Sequence, residues 1–357
     1  MKHTTFLTKN EESAKIECRV CKLIAIFALN CKPEKAKYMR LLIERIGLSL
    51  ENIYKNEELS AIIRAICCDM LGIPATTYYI KESIVLTPEQ EEQLNDIITR
   101  LQQGEPLQYI EGKAPFCGMD FIVRPGVLIP RPETAELVEW IAHDYGTQNT
   151  RILDLGTGSG CIAISLSKRL PQGMVEACDI STEALIIAKE NNEENNTKVE
   201  FFHHDILDRT TPLPHSYNIL VSNPPYIKQS EAKDMEEHVT EWEPHTALFV
   251  PDDDALRFYR AIAEIGQTEA LEPGGSIYVE INQALGKETV ELFENYGYRE
   301  VELRKDIYGN DRMVRCKKLP CYPEHSEGTH ARTLPGHSAR SFTAFRMTKE
   351  EDNDYDC

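Results

Sequence analysis

The sequence predicts an α/β fold: a mostly parallel sheet with helices on both faces, an antiparallel strand near the C-terminus, and a small helical domain in front. Three observations predict it. Residues 151–318 alternate short apolar strands with segments of helical period. The first of those strands runs into a glycine-spaced loop and then a helix. Residues 39–112 carry their apolar side chains at helical spacing.

Within 39–112, Met39, Leu41, Leu42, Ile43 and Ile46 form one apolar face. Leu59, Ile62, Ile63, Ala65, Ile66 and Leu71 form another, closed by Gly72 and Pro74. Thr87-Pro88-Glu89-Gln90 reads as an N-cap with Pro at the first helical position. The helix it opens carries Leu94, Ile97, Ile98 and Leu101 on one side and stops at Gly104. Residues 113–150 form a bridge: a hairpin over 116–123, the block Leu128-Ile129-Pro130-Arg131-Pro132-Glu133-Thr134, and a helix from about Thr134 to His143.

Strands are expected at 151–155, 174–180, 199–203, 217–222 and 276–281, with helices at 161–170, 182–191, 254–271 and 287–296. Pro273-Gly274-Gly275 is read as the stop of the 254–271 helix. Residues 298–305 and 313–317 pair as antiparallel strands across Gly309-Asn310-Asp311. Residues 1–38 read as a poorly ordered extension, with Met39 a candidate translation start. Met1 retained on native protein, by N-terminal mass spectrometry, would refute that start. Residues 319–357, rich in Pro, Gly, Ser and His before an acidic end, read as a disordered tail that activity does not need.

Composition narrows the function. Lys plus Arg is 39 against 58 Asp plus Glu, a net charge of −19, which argues against gripping a phosphate backbone. The 11 cysteines show no disulfide framework and no complete zinc spacing, although Cys18 and Cys21 form one C-x-x-C pair. Cys67 and Cys68 lie in an apolar helical run and are read as core. A cytoplasmic, metal-free, monomeric protein is expected, without a signal peptide at 23–29 and without a membrane span.

The loop Asp154-Leu155-Gly156-Thr157-Gly158-Ser159-Gly160 follows the first strand. Its glycines let the main chain approach a ligand, and the helix behind it offers free N–H groups. The spacing is G-x-G-x-G, and Cys161 stands where a dinucleotide fingerprint would continue. With no pyrophosphate to wrap, a compact nucleoside bearing an amino-acid tail suits it better. Asp179, at the end of the second strand, is placed to accept both ribose hydroxyls, with helix capping as its other reading. Asp205 meets an adenine amino group, and Ile206 covers the ring. His203 and His204 are assigned to packing at the strand end, and Glu280 is expected to face the site.

The fourth strand ends in Asn223-Pro224-Pro225-Tyr226. Consecutive prolines fix an extended turn and cannot donate to a sheet. The Asn223 carboxamide oxygen and the Pro224 carbonyl can accept both N–H bonds of one planar NH2 group, and Tyr226 offers a flat face for it. An amide or aromatic amine nitrogen is a weak nucleophile, so gripping both hydrogens aims its lone pair at a methyl donor. Read with the glycine loop, the motif predicts an N-methyltransferase using S-adenosylmethionine.

On these residues the chain resembles the HemK/PrmC family of protein-(glutamine-N5) methyltransferases, over about 39–318. Leu128 to Thr134, Asp154 to Gly160 and Val221 to Tyr226 carry the resemblance, with Gln108-Tyr109-Ile110-x-Gly112 and Tyr308 to Arg312 in support. It implies a Rossmann-like class I methyltransferase domain at 151–318 and a substrate-binding helical domain at 39–112. It also implies methyl transfer to the glutamine of the Gly-Gly-Gln motif in class I release factors, with S-adenosylhomocysteine as by-product. Gly156, Thr157, Gly158, Ser159, Gly160, Asp179, Asp205, Ile206 and Asn223 would line the cofactor. Asn223, Pro224, Pro225 and Tyr226 would hold the glutamine amide, with Asn223, Pro224 and Tyr226 catalytic. For Arg131 and Glu133, a salt bridge holding the linker and substrate contact stand as alternatives. The competing functions are glutamine methylation of a ribosomal protein, N6-adenine or N4-cytosine methylation of nucleic acid, and a binding module without activity.

Overall fold

The structure is a computed structural model and describes residues 39–146, 148–235 and 237–320 of the chain. Cys18, Cys21, the 23–29 stretch and the expected tail from 321 onward lie outside the described residues.

Five helices come first: α1 (Met39–Leu50), α2 (Asn56–Arg64), α3 (Ala75–Ile80), α4 (Pro88–Gln102) and α5 (Leu107–Glu111). Their apolar faces meet in one core that includes Met39, Ile46, Ile66, Leu94 and Leu101. Thr87 caps α4 as its sequence predicts: its hydroxyl accepts from the Gln90 amide at 3.2 Å, and the Gln90 side chain accepts from the Thr87 amide at 3.0 Å. Beyond α2 the chain widens into a π-helical turn, Ala65–Met70, where Cys67 is buried and Cys68 half-buried.

The hairpin falls at β1 (Lys113–Phe116) and β2 (Met119–Ile122), three residues earlier at its start than expected from the alternation beginning at Phe116. Cys117 and Gly118 form its two-residue turn with φ of +48° and +78°, so Phe116 ends a strand instead of opening one. Helix α6 (Pro132–Tyr145) follows, with Pro132 in its first turn.

The sheet contains β3 (Arg151–Leu155), β4 (Met174–Asp179), β5 (Glu200–His203), β6 (Tyr217–Ser222), β9 (Leu271–Glu280), β10 (Arg299–Lys305) and β11 (Asp311–Lys317). Their spatial order is β10-β11-β9-β6-β3-β4-β5. Strands β3, β4, β5, β6 and β9 pair in parallel, and β11 pairs antiparallel with both β9 and β10. The chain starts at β3, builds outward to β5, then returns to lay β6 on the other side. This reversal opens a crevice at the C-terminal ends of β3 and β6. The central strands β3, β4 and β6 are buried in an almost unbroken run, as a sheet covered on both faces requires. Trp140 of α6 packs edge-on against Tyr278 of β9 with ring centroids 5.4 Å apart. Helices α7 (Cys161–Arg169) and α8 (Thr182–Glu194) follow β3 and β4.

Two further differences separate the structure from the sequence reading. The helix expected over 254–271 spans only α11 (Arg257–Gln267), after the short helices α9 (Glu237–Trp242) and α10 (His245–Leu248). Leu271 already belongs to β9, and Pro273-Gly274-Gly275 lies inside that strand. There Tyr217 pairs with Leu271 but Ile219 pairs with Ser276, so the extra residues are taken up as a bulge. The second difference is a parallel pair that the sequence did not announce, β7 (Ile227–Lys228) with β8 (Phe249–Val250). It closes the segment between them into a strap after Asn-Pro-Pro-Tyr. Among the described residues no helix is long and apolar enough to cross a membrane.

Candidate active site

A cavity of about 340 Å³ lies at the C-terminal ends of β3 to β6, within the size range of small-molecule sites. Its floor is the loop from Gly156 to Ser159. The Gly156 and Thr157 amides donate to the Cys178 carbonyl at 2.9 and 3.0 Å, which fastens the loop to β4. The Gly158 amide donates to Asp179 Oδ2 at 2.8 Å. Gly158 has φ of +55°, and nothing stands within 4 Å of the place a Cβ would take, so the main chain there faces open space. Gly160 differs. It does not line the cavity; a Cβ there would meet Ile164 Cδ1 at 3.0 Å and Ala188 Cβ at 3.2 Å. Its part is to let α7 pack against α8.

Asp179 lines the cavity, as expected, while the helix cap that was its other reading falls to Ser181. Its two oxygens accept from the amides of Gly158 and Ser181, each at 2.8 Å. Each oxygen keeps a second lone pair for a ligand hydroxyl. Ser181 itself caps α8, accepting from the Ala184 amide at 3.1 Å. Asp154 lies beneath the loop, fully buried, and accepts the Thr157 hydroxyl proton on Oδ2 at 2.6 Å. Burial pushes its carboxyl up to about 7, and the nearby Asp179 charge adds to the rise. Asp205 and Ile206 form the next wall. The Leu207 amide donates to Asp205 Oδ1 at 2.8 Å, and Ile206 lies over Gly156. His204 is buried on the cavity wall, and burial lowers its pKa. His203 is exposed instead of packed, because β5 is the edge strand of the sheet.

Asn223 and Pro225 line the cavity, but Pro224 and Tyr226 do not. The Tyr226 ring packs on the apolar core beneath, and its hydroxyl donates to Glu280 Oε1 at 3.0 Å. Burial and the neighbouring Glu280 carboxylate hold that phenol protonated. The flat face expected of Tyr226 is therefore turned toward the protein, where the buried carboxylate recruits its hydroxyl. Glu280 is 1% exposed. Burial raises its pKa, while the Thr134 and Tyr226 hydroxyls and the Arg312 charge oppose the rise.

The opposite wall is the stretch from Gly126 to Arg131, with Thr134 at the start of α6. Tyr109 of α5 donates to the Val127 carbonyl at 2.5 Å, tying the helical region to this wall. The Ile129 amide donates to Glu243 Oε2 at 3.0 Å, and Arg131 pairs with the other oxygen of the buried Glu243. The strap that carries Glu243 is thus locked across the cavity, which Pro244, Thr246, Ala247 and Phe249 also line. Of the two readings of Arg131, the structure contains the salt bridge, and Arg131 borders the cavity as well.

The glycine floor, the spare acceptors on Asp179 and the Asp205–Ile206 wall fit a nucleoside with a short tail, and Asn223 lies at the same cavity. Residues 42–112 match the PrmC N-terminal domain family, and residues 132–241 match the methyltransferase small domain family. A release factor glutamine methyltransferase of Bacteroides thetaiotaomicron is 51% identical over 273 residues, 76% of this chain and 98% of that protein. The chain belongs to the release factor glutamine methyltransferase family. The Flavobacterium psychrophilum member is 43% identical over 271 residues, covering 75% of this chain and 94% of that one. A solved protein-(glutamine-N5) methyltransferase (release factor-specific) from Alicyclobacillus acidocaldarius is 30% identical, covering 56% of this chain and 100% of that one, with a TM-score of 0.34.

Sequence reasoning placed Asn223 and the glycine loop of this family member but gave no part to Thr134, Glu243 or Phe258, which border or brace the cavity. Thr134 was in view within the Pro-Arg-Pro-Glu-Thr block. A threonine two residues beyond a helix-opening proline reads as ordinary first-turn chemistry, so nothing local marked it.

Proposed function

We propose that this chain transfers the methyl group of S-adenosylmethionine to the side-chain amide nitrogen of the glutamine in the Gly-Gly-Gln motif of a class I release factor. The products are N5-methylglutamine and S-adenosylhomocysteine. The observation that carries the reading is Asn223 bordering the same cavity as the Gly156–Ser159 floor and Asp179. An amide acceptor and a nucleoside cradle thus share one space.

When bound, S-adenosylmethionine supplies an electrophilic methyl group on a positively charged sulfur. Asp179 accepts from the ribose hydroxyls, Ile206 packs on the base, and Asp205 meets its amino group. Asn223 Oδ1, at the cavity, takes one N–H bond of the glutamine amide; the Pro224 carbonyl, which does not line the cavity in this structure, takes the other only once substrate is seated. That grip turns the nitrogen lone pair toward the methyl carbon. The nitrogen gains its N–C bond as the donor's S–C bond breaks and S-adenosylhomocysteine is left; the cationic nitrogen so formed is acidic enough to lose one proton to solvent, so no strong base is needed among these residues. Pro225, Phe249 and Pro244 present apolar surface that keeps water from the reacting atoms. The helical region 39–112 takes part in holding the release factor, and the exposed Tyr79, Ile80 and Val85 on it are available for contact.

The test is parallel incubation of the purified protein and labelled S-adenosylmethionine with a release factor, a large-subunit ribosomal extract and DNA. Label is expected in the release factor. Label only in DNA or only in a ribosomal protein would overturn the reading.

A further inference from the structure

An asparagine carboxamide is nearly symmetric in shape, yet its two ends do opposite chemistry. If Asn223 turned its NH2 group to the cavity, donor would face donor and a substrate amide would not be held. The orientation must therefore be decided by what the other end touches. Asn223 Nδ2 lies 3.1 Å from Thr134 Oγ1. Thr134 has one hydroxyl proton, and Glu280 Oε2 stands 2.6 Å away to take it. Once that proton points at a carboxylate, the Thr134 oxygen can only accept. It accepts from Asn223, so the NH2 end is engaged by Thr134 and Oδ1 is the end left for a ligand in the cavity that Asn223 borders.

The carboxylate is itself held. Tyr226 donates to its other oxygen at 3.0 Å. Burial raises the Glu280 pKa, and the Thr134 and Tyr226 hydroxyls and the charge of Arg312, whose Nε donates to Asp306 Oδ2 at 3.1 Å, oppose that rise. The Asn282 side chain donates to the Tyr226 carbonyl at 3.1 Å and steadies the end of the turn. We infer that Thr134 and Glu280 are positioning residues, which set the polarity of the Asn223 carboxamide and so make the cavity-facing atom an acceptor. The inference rests on the functional reading above. It links two stretches far apart in sequence, Pro-Arg-Pro-Glu-Thr and Asn-Pro-Pro-Tyr, through one buried carboxylate.

The test uses the full chain with release factor and S-adenosylmethionine. Turnover, KM for the factor and cofactor affinity by calorimetry are measured for Thr134→Val, Thr134→Ser and Glu280→Gln. Thr134→Val keeps the shape and removes the hydroxyl. It is expected to lower kcat by about tenfold or more while cofactor Kd stays within about twofold. Thr134→Ser restores the hydroxyl and is expected to recover kcat to within about threefold of wild type. Glu280→Gln puts an amide donor beside Thr134, frees the Thr134 proton to point at Asn223, and is expected to lower kcat like Thr134→Val. If Thr134→Val fails to fold, as judged by circular dichroism, Glu280→Gln alone decides. Wild-type kcat in the folded variants, or a Thr134→Ser variant as slow as Thr134→Val, overturns the inference and leaves the functional reading standing. A wild-type protein that does not methylate the release factor overturns the functional reading, and this inference with it.

Discussion

Asp154→Asn tests what the glycine loop is built on. Asp154 is fully buried, and its carboxyl rises from the ordinary 3.8 to about 7. In the unfolded chain it ionises near 3.8, so between these values the folded state holds a proton that the unfolded state has lost. Stability from this group therefore falls as pH rises through that window. At about 1.4 kcal/mol per pH unit, the disadvantage is roughly 1.5 kcal/mol at about pH 5 and roughly 4 kcal/mol at about pH 8. Asparagine has the same shape, carries no charge at either pH, and can still accept the Thr157 hydroxyl. Titrating groups remote from Asp154 are common to the two proteins and cancel in the comparison. Urea unfolding of both proteins should show the variant's advantage growing by about 2–3 kcal/mol from about pH 5 to about pH 8. A constant difference between the two pH values would refute the buried, raised carboxyl.

Three further outcomes are expected. Asn223→Ala should lower turnover on a release factor by about a hundredfold while changing cofactor affinity much less, since it removes an acceptor for the substrate amide; unchanged turnover speaks against that role. Gly158→Ala and Gly160→Ala should separate: the first projects a methyl toward the cavity and weakens cofactor binding by calorimetry. The second collides with Ile164 and Ala188, so it should lower thermal stability more; equal effects in both assays count against the assignment. Arg131→Met leaves the Glu243 carboxylate buried beside the Ile129 amide without its cation. A loss of roughly 2 kcal/mol in denaturant unfolding is expected, largely recovered by adding Glu243→Gln; no loss in the single variant contradicts the lock.

Features that depend on neighbours in sequence were legible. The Thr87-Pro88 helix start, the G-x-G-x-G loop and the βα rhythm from Arg151 are local patterns, and each appears where its residues place it. The same holds for Asn223 at the end of β6. Features fixed by distant partners were not. Pro273-Gly274-Gly275 has the chemistry of a helix stop, yet pairing of Leu271 with Tyr217 pulls it into a strand. Tyr226 was expected to face the substrate; a carboxylate 54 residues away draws its hydroxyl inward. Thr134 and Glu280 are 146 residues apart, and only the fold reveals that they share a proton with the amide of Asn223 as its dependent. Periodicity cannot report such a contact, because a hydroxyl and a carboxylate carry no mark of their partner.

The most direct measurement is mass spectrometry of a release factor after incubation with this protein and S-adenosylmethionine, with fragmentation that locates any added mass. One methyl group on the side-chain nitrogen of the Gly-Gly-Gln glutamine is the predicted result, formed about a hundredfold more slowly when Asn223→Ala replaces the wild type. A methyl group on any other residue, or an unmodified release factor in the presence of active, cofactor-binding protein, would contradict the account.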